Sequence, residues 1–266
     1  MGAIASSLPG DSSQLSADQQ SKVYRQLEWQ YAQILKNEPD LDKASVYAKL
    51  EKMHEELVVA YSTASYECPK VRFGRTEIQM PILSLGGMRQ QETWAPRDDL
   101  TVEDIQAEVQ KNFEAIADRA MELGINHFET ARGYGSSELQ FGPIVKKYPR
   151  DTFILQTKVV PKPTNDEFRA LLETSFTKLQ LNGDDDYVDL FAFHGINTEE
   201  HLDWVLREGG NMEVIKEYVD MKKIRHIGFS THGMSALIKK AVDTGAFDYV
   251  NLHYHWCGSY VIKMMT

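Results

Sequence analysis

His127-Phe128-Glu129-Thr130-Ala131-Arg132-Gly133-Tyr134-Gly135 starts as an apolar strand and ends in a glycine-flanked loop. Ahead of it, Leu123-Gly124 sits where a helix C-cap belongs. Further upstream, Ile105, Val109, Phe113, Ile116, Ala120 and Leu123 recur at helical spacing over 104–123. The same alternation continues downstream. Apolar strands are predicted over 82–86, 127–131, 153–158, 188–194, 224–230 and 249–255, with amphipathic helices between them. Thr164-Asn165-Asp166-Glu167 opens the helix over 168–179 as a capping sequence, and Thr244-Gly245 closes another. Repeated strand–helix–strand units imply an α/β fold with a parallel sheet.

Two closures of such a sheet compete, a doubly wound sheet and a (β/α)8 TIM-barrel type. The first needs G-x-G-x-x-G at the first strand–helix turn. That turn reads Gly86-Gly87-Met88-Arg89-Gln90-Gln91 and does not fit. Gly133-Tyr134-Gly135-Ser136-Ser137-Glu138 follows the second strand and lacks the third glycine. The barrel is favoured. A closed barrel uses eight strand–helix units over about 250 residues. Residues 71–266 supply about six, so the expectation is an incomplete, C-terminally truncated barrel.

The segment before the barrel reads differently. Residues 1–17, rich in Ser, Gly and Ala, are expected to form a disordered tail. Residues 18–66 are expected to form a helical hairpin extension. Val23, Leu27, Tyr31 and Ile34 mark one helix; Val46, Leu50, Met53, Leu57 and Tyr61 mark the other, with Pro39 between them. The run 71–81 reads as a short β-hairpin leading into the barrel.

Composition narrows the class. The net charge of -10 argues against nucleic acid as a partner. Two distant cysteines, Cys68 and Cys257, suit a reduced, cytoplasmic protein. Met1-Gly2-Ala3-Ile4-Ala5-Ser6 fits an N-myristoylation pattern. With Lys22 the first basic residue and no nearby cysteine, acylation at Gly2 would give only weak membrane association.

Barrel chemistry sits at the C-terminal ends of the strands. In order, those ends carry Glu129 with Tyr134 in the next loop, then Lys158, His194, Ser230-Thr231-His232, and Asn251, His253 and His255. Hydride reduction of a carbonyl leaves negative charge on oxygen, so a proton must arrive. A phenol near pKa 10 is a poor donor at neutral pH unless a nearby ammonium lowers it. A carboxylate can hold that lysine, and a histidine can orient the carbonyl.

Four stretches then act together: His127–Gly135, Gln156-Thr157-Lys158, Val188–His194 and Ile227-Gly228-Phe229-Ser230. In order and spacing they resemble the aldo-keto reductase family over roughly residues 71–260. The resemblance implies Tyr134 as proton donor, Lys158 as its partner, His194 as substrate orienter and Glu129 as the carboxylate. It implies NADPH as cofactor, with Gly87, Met88, Ser230, Thr231 and Asn251 on the dinucleotide, and a small-molecule carbonyl as substrate. No metal is implied. The family usually places aspartate where Glu129 stands; the extra methylene moves the charge by about 1.5 Å. The E-T-A-R-G-Y-G wording resembles a subgroup with some cysteine-rich iron–sulfur members, a tail that two cysteines do not supply. Cofactor contacts that the family draws from its last two strand–helix units are not in this sequence, which implies weakened binding.

Two rivals stay open on the sequence. One is a non-catalytic NADPH-sensing or interaction protein on the same scaffold. The other is a metal-dependent barrel hydrolase using His194, His232, His253 and His255.

Overall fold

The computed structural model describes residues 11–63, 67–89, 92 and 99–253. Helices α1 (Ala17–Asn37) and α2 (Lys43–Thr63) pack together as a hairpin. Val23, Leu27, Ile34, Val46, Leu50 and Val58 fill its own core. Ser16 and Gln19 cap α1 reciprocally, each side chain bonding the other's backbone N–H. Residues from the end of the stretch read as a tail over 1–17 pack on the hairpin. Leu15 joins the hairpin core, and Ser12 Oγ bonds Tyr24 Oη at 3.1 Å. A capped helix start next to a leucine gives the chain something to pack, which serine-rich composition alone hides. Residues 1–10, Gly2 among them, lie outside the described residues.

Strands β1 (Lys70–Arg72) and β2 (Gln79–Pro81) pair antiparallel, as the 71–81 run predicts. Six strands follow: β3 (Leu85–Gly86), β4 (His127–Glu129), β5 (Ile154–Val159), β6 (Val188–Phe193), β7 (Ile224–Thr231) and β8 (Tyr249–Leu252). They lie side by side in chain order, every pair parallel. Helices α3 (Ala107–Glu122), α4 (Ser137–Val145), α5 (Asn165–Lys178), α6 (Glu199–Leu206), α7 (Asn211–Asp220) and α8 (Ser235–Asp243) fill the crossovers. Thr164 caps α5 by accepting from the Glu167 N–H.

The sheet is curled. In a flat sheet β5 and β8, three places apart, would be separated by about 14 Å. Here the Gln156 side chain on β5 reaches Asn251 on β8 at 2.7 Å. Among the described residues the result is six strands of a curled parallel barrel wall.

Both faces of the central strands are covered. All six residues of β5 and all six of β6 are buried. Leu155, Val159, Phe191 and Phe193 face the helices and join Phe168, Leu172 and Val214 in the main core. Ile154, Leu190 and Ala192 face inward, where Met80 and Tyr249 close the floor beside Phe73 and Ile78. The β1–β2 hairpin thus stops the bottom of the curl. Continuous apolar strands are what a doubly covered parallel sheet requires.

Gly228 shows how tightly this floor packs. A Cβ placed there would lie 2.5 to 2.6 Å from Tyr249 ring carbons. Gly228→Ala should therefore push Tyr249 and the marginal strand β8 outward. Overpacking of this kind costs about 1–3 kcal/mol, readable as a lower urea midpoint.

Candidate active site

Alternation along β4 and β5 turns His127, Glu129, Gln156 and Lys158 into the curl. Lys158 is 2% exposed and hydrogen-bonds the Glu129 carboxylate. It also donates to the Thr130 carbonyl at 2.8 Å. The longer glutamate side chain therefore still reaches the lysine, despite the aspartate usual there.

Tyr134 sits on a turn fastened at both ends. Its N–H donates to Ala131 O at 3.0 Å, and its carbonyl accepts from the Ser137 N–H at 2.9 Å. The Arg132 N–H bonds Lys158 O, which pins the start of the turn to β5. Gly135 takes φ +53°, a left-handed conformation that favours glycine. Held this way, the Tyr134 ring has the Lys158 ammonium 4.5 Å from its centroid. His194, just past β6, meets the same ring edge-on, with centroids 5.4 Å apart at 89°.

Four residues from three successive strand ends thus come together. Their electrostatics differ in part from the simple expectation. Burial pushes the Lys158 ammonium down to about 7, and the Glu129 carboxylate opposes that by stabilising the charged form. Burial raises Tyr134 above its ordinary value; the expected lowering by lysine does not prevail. The reason is geometric: the ammonium lies over the ring and is engaged by Glu129 and Thr130. The phenol is therefore kept protonated, as a proton donor must be. Burial, helped by the charge on Lys158, brings His194 down to about 4, so it is neutral at physiological pH. His194 Nδ1 is buried and has no hydrogen-bond partner among the described residues. A buried polar atom left open in this way is uncommon in a folded interior.

The remaining expected residues divide. Ser230 and Asn251 are register partners on β7 and β8. Ser230 Oγ accepts from the Gly195 N–H at 3.0 Å. Thr231 is engaged elsewhere, its hydroxyl donating to Ile196 O at 2.7 Å. Gly87 lies against the Tyr134 turn: an added Cβ would meet Ser137 Oγ at 2.2 Å and Phe141 at 2.6 Å. Packing against α4 by itself accounts for glycine there. Met88 is 37% exposed beyond the end of β3.

Of the metal-site histidines, His232 and His253 stack edge to face, with centroids 5.6 Å apart. His255 lies outside the described residues, as do Trp256 and Cys257. No group of three His, Cys, Asp or Glu suited to a metal occurs among the described residues.

Sequence reading gave no role to His127, Gln156 or Ser84. Ser84 Oγ lies 2.7 Å from His127 Nδ1, and His127 Nε2 lies 3.1 Å from Gln156 Oε1. The available signal was parity: each of His127 and Gln156 stands two places before a site residue on the same strand.

The family model described as the aldo/keto reductase family matches residues 83–259. The chain belongs to the aldo/keto reductase family. An uncharacterized oxidoreductase of Caenorhabditis elegans is 28% identical to this family member over 130 residues, covering 47% of this chain and 38% of that protein. The matched stretch spans less than half the length of the curated relatives. Among solved structures, an aldo-keto reductase of Pseudomonas aeruginosa aligns with TM-score 0.58 at 19% identity, over 77% of this chain and 76% of that one. One from Klebsiella pneumoniae, solved in complex with NADPH, aligns with TM-score 0.50 at 23% identity, over 71% and 59%. These likenesses support the incomplete-barrel fold of this aldo/keto reductase family member.

Proposed function

We propose that the chain reduces an aldehyde or ketone by hydride transfer, with NADPH as the cofactor. The observation that carries this reading is the pairing of Glu129 and Lys158 beneath the Tyr134 ring, with His194 edge-on to the same ring. The cofactor supplies the hydride when bound. The residues present fit its nicotinamide end, since Asn251 and Ser230 stand side by side at the strand ends and His194 Nδ1 is open. As charge develops on the carbonyl oxygen, the Tyr134 hydroxyl gives its proton to that oxygen. Neutral His194 hydrogen-bonds the carbonyl and fixes its direction. Lys158, held by Glu129, lies against the ring of the phenol and fixes where that ring stands.

The test is an NADPH fluorescence titration followed by NADPH consumption against a panel of aldehydes. Quenching or enhancement that saturates, with turnover of at least one aldehyde, is expected. Saturable binding with no turnover across the panel would move the reading to a dinucleotide sensor. No binding would remove it.

A cytoplasmic setting belongs to this proposal, as does weak membrane contact through acylated Gly2. Among the described residues no helix is long and apolar enough to cross a membrane.

A further inference from the structure

The polar side chains beneath the candidate active site form one continuous chain of bonds. Ser84 Oγ meets His127 Nδ1 at 2.7 Å, and His127 Nε2 meets Gln156 Oε1 at 3.1 Å. Gln156 Nε2 donates to Asn251 Oδ1 at 2.7 Å. His127 and Gln156 are 5% and 1% exposed, so water does not compete for these groups. The series joins the start of the barrel wall to its sixth strand.

Donor and acceptor rules make the series a single unit. An amide oxygen only accepts, so His127 must carry its hydrogen on Nε2. In the neutral ring Nδ1 is then bare and accepts from the Ser84 hydroxyl. Burial keeps the ring neutral, with its pKa down to about 4. Gln156 has its oxygen on His127 and its amino group on Asn251. The Asn251 oxygen is therefore occupied. Its amino group bonds nothing among the described residues, and the residue is the register partner of Ser230. Reversing any one amide breaks a bond to the next, so the ring tautomer and the Asn251 polarity change together or not at all.

We propose that Ser84, His127 and Gln156 are positioning residues that fix Asn251 as a hydrogen-bond donor, so that the site takes its ligand by a carbonyl oxygen. This rests on the nicotinamide reading of the site, where that oxygen belongs to the ring carboxamide. An asparagine free to turn would lose affinity to the cost of ordering it; one held in advance does not.

Gln156→Glu provides the test. A carboxylate accepts on both sides, so Asn251 must turn its amino group inward and present oxygen to the ligand. The probes are NADP+ and its 3-acetylpyridine analogue, which keeps the carbonyl and lacks the amino group. The wild-type protein should bind both with similar Kd. In Gln156→Glu the analogue should lose about tenfold relative to NADP+, the worth of one hydrogen bond. Gln156→Leu, which cuts the chain without charge, should fall between them. An unchanged Kd ratio in Gln156→Glu would overturn the proposal. A second measurement needs no dinucleotide: 15N NMR of the His127 ring should show the Nε2–H tautomer. The Nδ1–H tautomer would overturn the relay. If the wild type binds neither dinucleotide, the reductase reading fails, and the tautomer still decides the relay.

Discussion

Replacing Tyr134 by phenylalanine should cut carbonyl turnover by a factor of about 10² to 10⁴, the usual contribution of one positioned acid. The change removes one hydroxyl and keeps the ring. The ring is what the Lys158 ammonium and the His194 imidazole touch, at 4.5 and 5.4 Å from its centroid. The turn bonds at Ala131 and Ser137 are made by backbone and survive. Cofactor titration and urea midpoint should therefore match the wild type while turnover collapses. Turnover within threefold of wild type in Tyr134→Phe would place the proton donor elsewhere. A parallel loss of stability would show that the hydroxyl serves the fold.

Acid should weaken the fold through His127 well before the carboxylates titrate. Its folded pKa is brought to about 4 by burial, against 6.5 for an ordinary histidine. Between those values the unfolded chain binds a proton that the folded ring refuses. The contribution is thus present in full above pH 6.5 and is lost as pH falls through the window to 4. A gap of this size corresponds to on the order of 3 kcal/mol. Typical domains hold about 5–15 kcal/mol in total, so the effect should be plain. Urea midpoints of wild type should fall steadily between pH 7 and pH 4.5. His127→Asn, which has no titrating ring, should show a shallower fall across that interval. Equal slopes for the two proteins would mean that His127 is readily protonated where it sits. His194, also held near 4, acts in the same direction.

Much of this molecule can be read from its chain. The six strands stand within a few residues of where apolar runs and caps place them, because each is bounded by local signals. Lys158, Tyr134, Glu129 and His194 converge because parity on a parallel sheet leaves little choice about which side chains turn inward. The start of α1 was harder. Ser16 and Gln19 are ordinary letters inside a serine-rich stretch, and only their reciprocal bonds reveal a capping box. The direction of the Tyr134 shift was also hidden. It depends on whether an ammonium faces a hydroxyl or a ring, which spacing does not specify. The Gln156–Asn251 bond joins residues 95 positions apart across a curl. Nothing local to either residue announces the other.

Coverage of the strands falls away from the middle of the sheet to its margins. β5 and β6 are enclosed along their whole length, β8 is enclosed only at Tyr249, and β3 is two residues long. Amide exchange follows such gradients, because poorly covered backbone opens at lower free energy. Lys158, and His194 at the end of β6, should therefore exchange slowly, whereas the backbone of Asn251 should exchange faster. A dinucleotide gripped through Asn251 would slow exchange at β8 first and leave β5 nearly unchanged. On the proposed roles, the residues that support the proton donor would stand on rigid ground, and the residue that holds the cofactor on the part of the wall that breathes.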